Sequence, residues 1–197
     1  MAGLIASFLG LFGCGRDRTS QYKMTRIYRD LRQQALAFNP SEIGLTPTTS
    51  SRVWGIVMDW GVDSRVATLV ALGDGSVSLY YSTGGGIIGA GVHDGPRRAG
   101  QALLAAAPGF VSQAEHTTDF PLPERGKIRF YFLTFDGVLT VEAPADELER
   151  HNLPMSPLAD KAQDVITEIL ATEKVRDQQQ REDGTDKPRT LRRKPNQ

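Results

Sequence analysis

The chain has 197 residues, 23 of them basic, 23 acidic and 40 % hydrophobic, the composition of a folded domain and not of a disordered or fibrous chain. The zero net charge hides an uneven distribution: residues 1–38 carry +4, residues 39–172 carry −7 and residues 173–197 carry +3. An acidic body argues against nucleic acid as a partner. The single cysteine, Cys14, excludes an intramolecular disulfide and any structural zinc site built on two thiolates.

The chain divides into three parts. Residues 1–21 form an apolar then basic segment, residues 22–172 one domain, and residues 173–197 a charged tail. Residues 2–14 (AGLIASFLGLFGC) are the most apolar stretch. They fall short of the roughly 20 apolar residues that a spanning helix needs. No Lys or Arg precedes them, so they make a poor secretory signal. Leu11-Phe12-Gly13-Cys14 loosely matches a lipidation site, which makes Cys14 a candidate lipid attachment point. The alternatives are an interfacial helix, whose neighbouring Arg16, Arg18 and Lys23 suit an anionic surface, and simple packing on the domain or a partner. The expected location is cytoplasmic, with peripheral membrane contact through residues 2–14 as a further option.

Residues 22–38 place Ile27, Leu31, Ala35 and Phe38 at helical spacing, which predicts an amphipathic helix with a solvated basic face. Asn39-Pro40 ends it, and residues 40–51 read as a loop. Three strands follow, over 53–60, 64–72 and 76–82. Asp74-Gly75 marks the second hairpin turn. After a glycine-rich loop at 83–91, Asp94 and Pro96 open a helix over 94–107. Residues 108–126 read as irregular. Residues 127–135 and 138–143 form a second hairpin around Asp136-Gly137, and 158–172 is the last helix. From about residue 177 charge dominates and disorder is expected.

This order, α-βββ-α-ββ-α, predicts an α+β domain with a five-stranded, mainly antiparallel sheet and packed helices. By analogy of element order it looks like the longin, roadblock and profilin folds. The stretches at residues 53–59 (VWGIVMD), 78–89 (SLYYSTGGGIIG), 130–134 (FYFLT) and 154–158 (PMSPL) resemble an uncharacterised family of bacterial hypothetical proteins over roughly residues 27–170. The resemblance implies one domain and a bacterial source, and carries no activity.

Gly84, Gly86 and Gly89 fit the G-x-G-x-x-G spacing after a strand, in which glycines let a pyrophosphate approach the backbone. Thr83, Gly84, Gly85, Gly86, Gly89 and His93 are therefore the candidate small-ligand or nucleotide site. The competing reading is that these glycines serve positive φ and close packing. No Gly-Lys-Ser/Thr ending follows, so this is not a P-loop. Ile87 and Ile88 in the same loop are candidate partner contacts. For hydrolysis, Ser82 or Thr83 would need His93 as base and Asp94 or Asp59 as orienter. Asp59 reads equally well as a turn residue. His93, His116 and His151 fall in three separate loops, and no metal or cofactor is expected. The expected function is a non-enzymatic, protein-binding adaptor or regulatory domain. Small-ligand binding through 83–91 and peripheral membrane attachment are the alternatives, and homo-oligomerisation stays open.

Overall fold

The computed structural model describes residues 21–47 and 52–182. Cys14 and the rest of residues 1–20, and the tail from 183, lie outside the described residues, so the lipid, membrane-contact and tail expectations concern positions on which the structure is silent.

The elements are helix α1 (Arg26–Ala37), strands β1 (Val53–Val62), β2 (Arg65–Leu72), β3 (Val77–Tyr81) and β4 (Gly86–Ile87), helix α2 (Asp94–Ala106), strands β5 (Glu115–Thr117), β6 (Lys127–Thr134) and β7 (Gly137–Pro144), and helices α3 (Ala145–Glu149) and α4 (Ser156–Glu182). The strands form one seven-stranded antiparallel sheet in the order β4-β3-β2-β1-β6-β7-β5. The α+β class agrees with the sequence, but the expected five-stranded sheet does not. The two added strands, β4 and β5, are two and three residues long and occupy the two edges. They are too short to show a period of two, so alternation in the sequence cannot reveal them. Short edge strands also leave little open backbone for unwanted pairing.

Both faces of the sheet are covered. On one face α2 and α4 bury Ile56, Met58, Leu69, Leu79, Phe130 and Phe132 against Leu103, Leu158, Val165 and Ile169. On the other, α1 and the segment around Leu122 bury Trp54, Val57, Val66, Val70, Tyr80, Tyr131 and Leu133. The apolar character of both faces of β1, β2 and β6 follows from this sandwich. A register shift between Val53 and Gly55 puts Trp54 and Val57 on the same face, as a β-bulge does.

The turns obey local chemistry. Asp63 takes a left-handed φ of 51° between β1 and β2. Between β2 and β3, the Asp74 carboxylate accepts hydrogen bonds from the Ser76 amide and hydroxyl, and Gly75 sits at φ 89°. Gly137, at φ 120°, turns β6 into β7. Helix α1 is capped by Thr25, whose hydroxyl accepts from the Tyr28 amide. Helix α4 continues helical through Glu182, beyond the residue 172 at which the sequence pattern ends it.

The buried face of α1 is rotated from the one that apolar spacing indicates. Tyr28, Ala35 and Leu36 are buried, Leu31 and Phe38 pack beside them, and Ile27 is 72 % exposed. The basic face is not wholly solvated, because Arg32 turns inward onto the sheet.

Candidate functional site

The most polar feature of the interior lies beneath α1. Strand register sets Thr68 of β2, Asp59 of β1, Arg129 of β6 and Glu142 of β7 side by side as one row across four strands. Asp59 and Thr68 are completely buried. Asp59 is no turn residue: β1 runs three residues past it, and the hairpin turns at Asp63 and Ser64.

Each oxygen of Asp59 is occupied. Arg32 donates to Oδ2 from Nε at 2.8 Å and from Nη2 at 2.6 Å. The Thr68 hydroxyl donates to Oδ1 at 2.6 Å, which leaves the Tyr28 hydroxyl, 2.9 Å away, to donate to Thr68. Arg32 also donates from Nη1 to the carbonyl of Phe120 at 3.0 Å, and its guanidinium lies 5.5 Å from the centre of the Tyr131 ring. The Tyr131 hydroxyl donates to the carbonyl of Pro121. Farther along the row, Arg129 pairs with Glu142 at 2.7 Å. These bonds tie α1, the sheet and the 120–122 segment into one unit.

Burial alone would lower the Arg32 pKa, and the Asp59 carboxylate more than offsets it, so the guanidinium is held charged even more firmly than usual. Burial raises the phenol of Tyr131 to about 12, with Arg32 acting in the opposite direction. Tyr28 and Tyr80 are raised too, first by burial and then by the charge of Asp59. Chemically the Asp59 carboxylate is closed, while Arg129 keeps a buried Nε with no hydrogen-bond partner. A carboxylate with its lone pairs taken by a guanidinium and a hydroxyl, under a helix, is neither a free base nor a nucleophile. It is a clamp.

The glycine-rich loop is built differently from a dinucleotide cradle. Residues 82–85 turn β3 back on itself, so that Leu79 faces Ile87 and Tyr80 faces Gly86 in an antiparallel ladder. Gly84, Gly85, Gly86 and Gly89 all have positive φ. Gly86 is the most constrained: at φ 143°, an added Cβ would lie 2.5 Å from the Leu79 carbonyl oxygen and from the Tyr80 Cα. Turn geometry and strand contact thus account for these glycines. The loop enters α2 through a short 3-10 turn at Ala90–Val92, and His93 caps the helix with no side-chain hydrogen bond to it.

Of the other candidates, Thr83 is exposed, and Ser82 is buried with its hydroxyl accepting from the Val66 amide at 2.9 Å. His93 lines a shallow groove with α4, whereas Asp59 lies under α1 on the opposite face of the sheet. Asp94 pairs with Arg97. The Ser82–His93–Asp59 arrangement is therefore not assembled. His116 is in β5, not in a loop, and His151 follows α3. Among the described residues no group of three His, Cys, Asp or Glu side chains could hold a metal ion.

Of the candidate partner contacts, Ile87 packs partly onto the core and Ile88 is 64 % exposed. Val92, which the sequence did not single out, is 81 % exposed on the same connection. Beyond it, His93 shares a groove with Ala171, Thr172, Val175, Arg176 and Gln179 of α4, where Val175 is 52 % exposed. Helical spacing gave no warning of Val175, because it lies beyond the end of the apolar pattern. Among the described residues no helix is long and apolar enough to cross a membrane. No family model, curated protein or solved structure matches the chain.

Proposed function

We propose that this protein is a binding domain for another protein, with its contact surface centred on Ile88 and Val92. The observation that carries this reading is the exposure of both side chains on the one short connection that leads into His93, which lines a groove with the exposed Val175. Single exposed apolar residues are commonplace, but two within five residues of one connection offer a partner more than one anchor. Burying a Val or Ile side chain gains about 1.5–3 kcal/mol, so two or three of them can anchor a partner. The Asp59 carboxylate, with both oxygens bonded by Arg32 and Thr68, supports the same reading: this buried charge is spent on rigidity, which suits a scaffold. A cytoplasmic location belongs to this proposal and is checked by fractionation.

The test is a photo-crosslinking amino acid placed at Val92, with the same residue at Glu115 on the opposite sheet edge as control. A discrete heavier adduct is expected from position 92 and not from 115, and Ile88→Asp with Val175→Asp should abolish it. An adduct of twice the chain's mass would identify the partner as a second copy. No adduct from position 92, or equal adducts from both edges, would overturn the reading.

A further inference from the structure

A separate cavity of about 380 Å³ opens at the other end of α4, between that helix, α3 and the sheet. Its walls include Met58, Trp60 and Leu148, and its polar lining includes Glu149, Asp160 and His151. Apolar walls with a few converging polar groups are the usual composition of a small-molecule site, and the volume is at the lower end of the range for one. Asp160 and Ala171 are eleven residues apart on α4, roughly 16 Å along its axis, so this cavity is distinct from the groove beside Val92.

Two further observations narrow the ligand. Among the described residues Asp160 has one ionic neighbour, His151 Nδ1 at 3.6 Å, and Glu149 has none, so the cavity carries two carboxylates in its lining with a single histidine against them. His151 itself has φ 59°, a left-handed conformation that helix ends normally give to glycine. Its amide donates to the Leu148 carbonyl and that of Asn152 to Glu147, which closes the end of α3. A cavity lined by an indole and two carboxylates has the groups that recognise an ammonium ion, since an aromatic ring and a carboxylate attract the same cation.

We propose that this cavity binds a small organic ammonium ion, its apolar body against Met58, Trp60 and Leu148 and its charged nitrogen between Trp60 and the carboxylates of Glu149 and Asp160. The −7 charge of residues 39–172 favours the approach of such a cation.

The test titrates the full chain with phenethylammonium, 2-phenylethanol and phenylacetate, read by NMR at the two indole N–H signals. Phenethylammonium should shift the Trp60 signal and bind about fivefold tighter than the neutral alcohol, with phenylacetate weakest. Trp54, on the opposite face of the sheet, should not respond. Glu149→Gln with Asp160→Asn should bring phenethylammonium down to the affinity of the alcohol; both side chains are at the surface, and the amide spectrum reports whether the fold is kept. Equal binding of amine and acid, a response at Trp54 instead of Trp60, or no saturation by any probe at tens of millimolar would each overturn the proposal. The selectivity of the unsubstituted protein among the three probes decides the matter even if the double variant misfolds.

Discussion

Asp59 and Arg32 show how a buried ion pair acts at the scale of one residue. Both side chains are withdrawn from water, Asp59 completely and Arg32 to 11 % exposure. Their attraction is set against a large loss of hydration, so the pair adds little over a well-packed apolar pair, but breaking it leaves a stranded charge. Asp59→Asn keeps the shape and removes the charge. It should destabilise the domain by about 3–5 kcal/mol, as measured by urea unfolding. Arg32→Met alone should cost a similar amount, because the buried carboxylate then loses two hydrogen bonds. Combining the two substitutions should cost clearly less than the sum of the singles. Additive losses would show that the two groups do not depend on each other.

At the scale of elements, the sequence makes the long strands legible because Asp74-Gly75 and Asp136-Gly137 are strong turn signals between apolar runs. Helix α2 is legible through Asp94 and Pro96. The edge strands are not, since Gly86–Ile87 and Glu115–Thr117 hold their places by pairing with strands already formed. The glycines at 84–89 stand out as a cluster, yet their spacing is equally compatible with a phosphate loop and a tight hairpin, and the hairpin pairing with β3 has no signal in the sequence. The apolar spacing of α1 indicates Leu31, Ala35 and Phe38 correctly and misplaces Ile27, for a related reason. Periodicity treats Arg32 as outward and Ile27 as inward, whereas the face is set by Asp59, 27 residues farther along the chain. The rotation has a direct consequence. Ile27→Ser should change stability by less than about 0.5 kcal/mol, while Leu36→Ala should cost about 2–3 kcal/mol, both from urea midpoints. A larger loss at Ile27 than at Leu36 would restore the face that the apolar spacing indicates.

For the molecule as a whole, the layer beneath α1 makes stability depend on alkaline pH. Tyr22 and Tyr131 have their phenols raised to about 12, chiefly by burial, and Tyr28 and Tyr80 shift in the same direction for the same cause. An unfolded phenol titrates near pH ~10. Between about 10 and about 12 the unfolded chain therefore releases protons that the folded chain keeps, and stability falls as pH rises. It is fully present below the unfolded value and is lost progressively through the folded one. Each such tyrosine contributes a slope of about 1.4 kcal/mol per pH unit across that window. Four of them in one layer make the loss cooperative, because releasing α1 exposes Tyr28 and Tyr80 together; their rings pack edge to face at 5.9 Å. The urea midpoint should hold steady from pH 8 to about 9.5 and drop steeply by pH 11. Tyr131→Phe should lower the midpoint at pH 8 by the loss of its hydrogen bond to Pro121, about 1 kcal/mol, and should make the alkaline slope shallower by one proton. A midpoint unchanged between pH 8 and pH 11 would mean that this layer opens to water in the folded state, and the closed clamp under α1 would have to be abandoned.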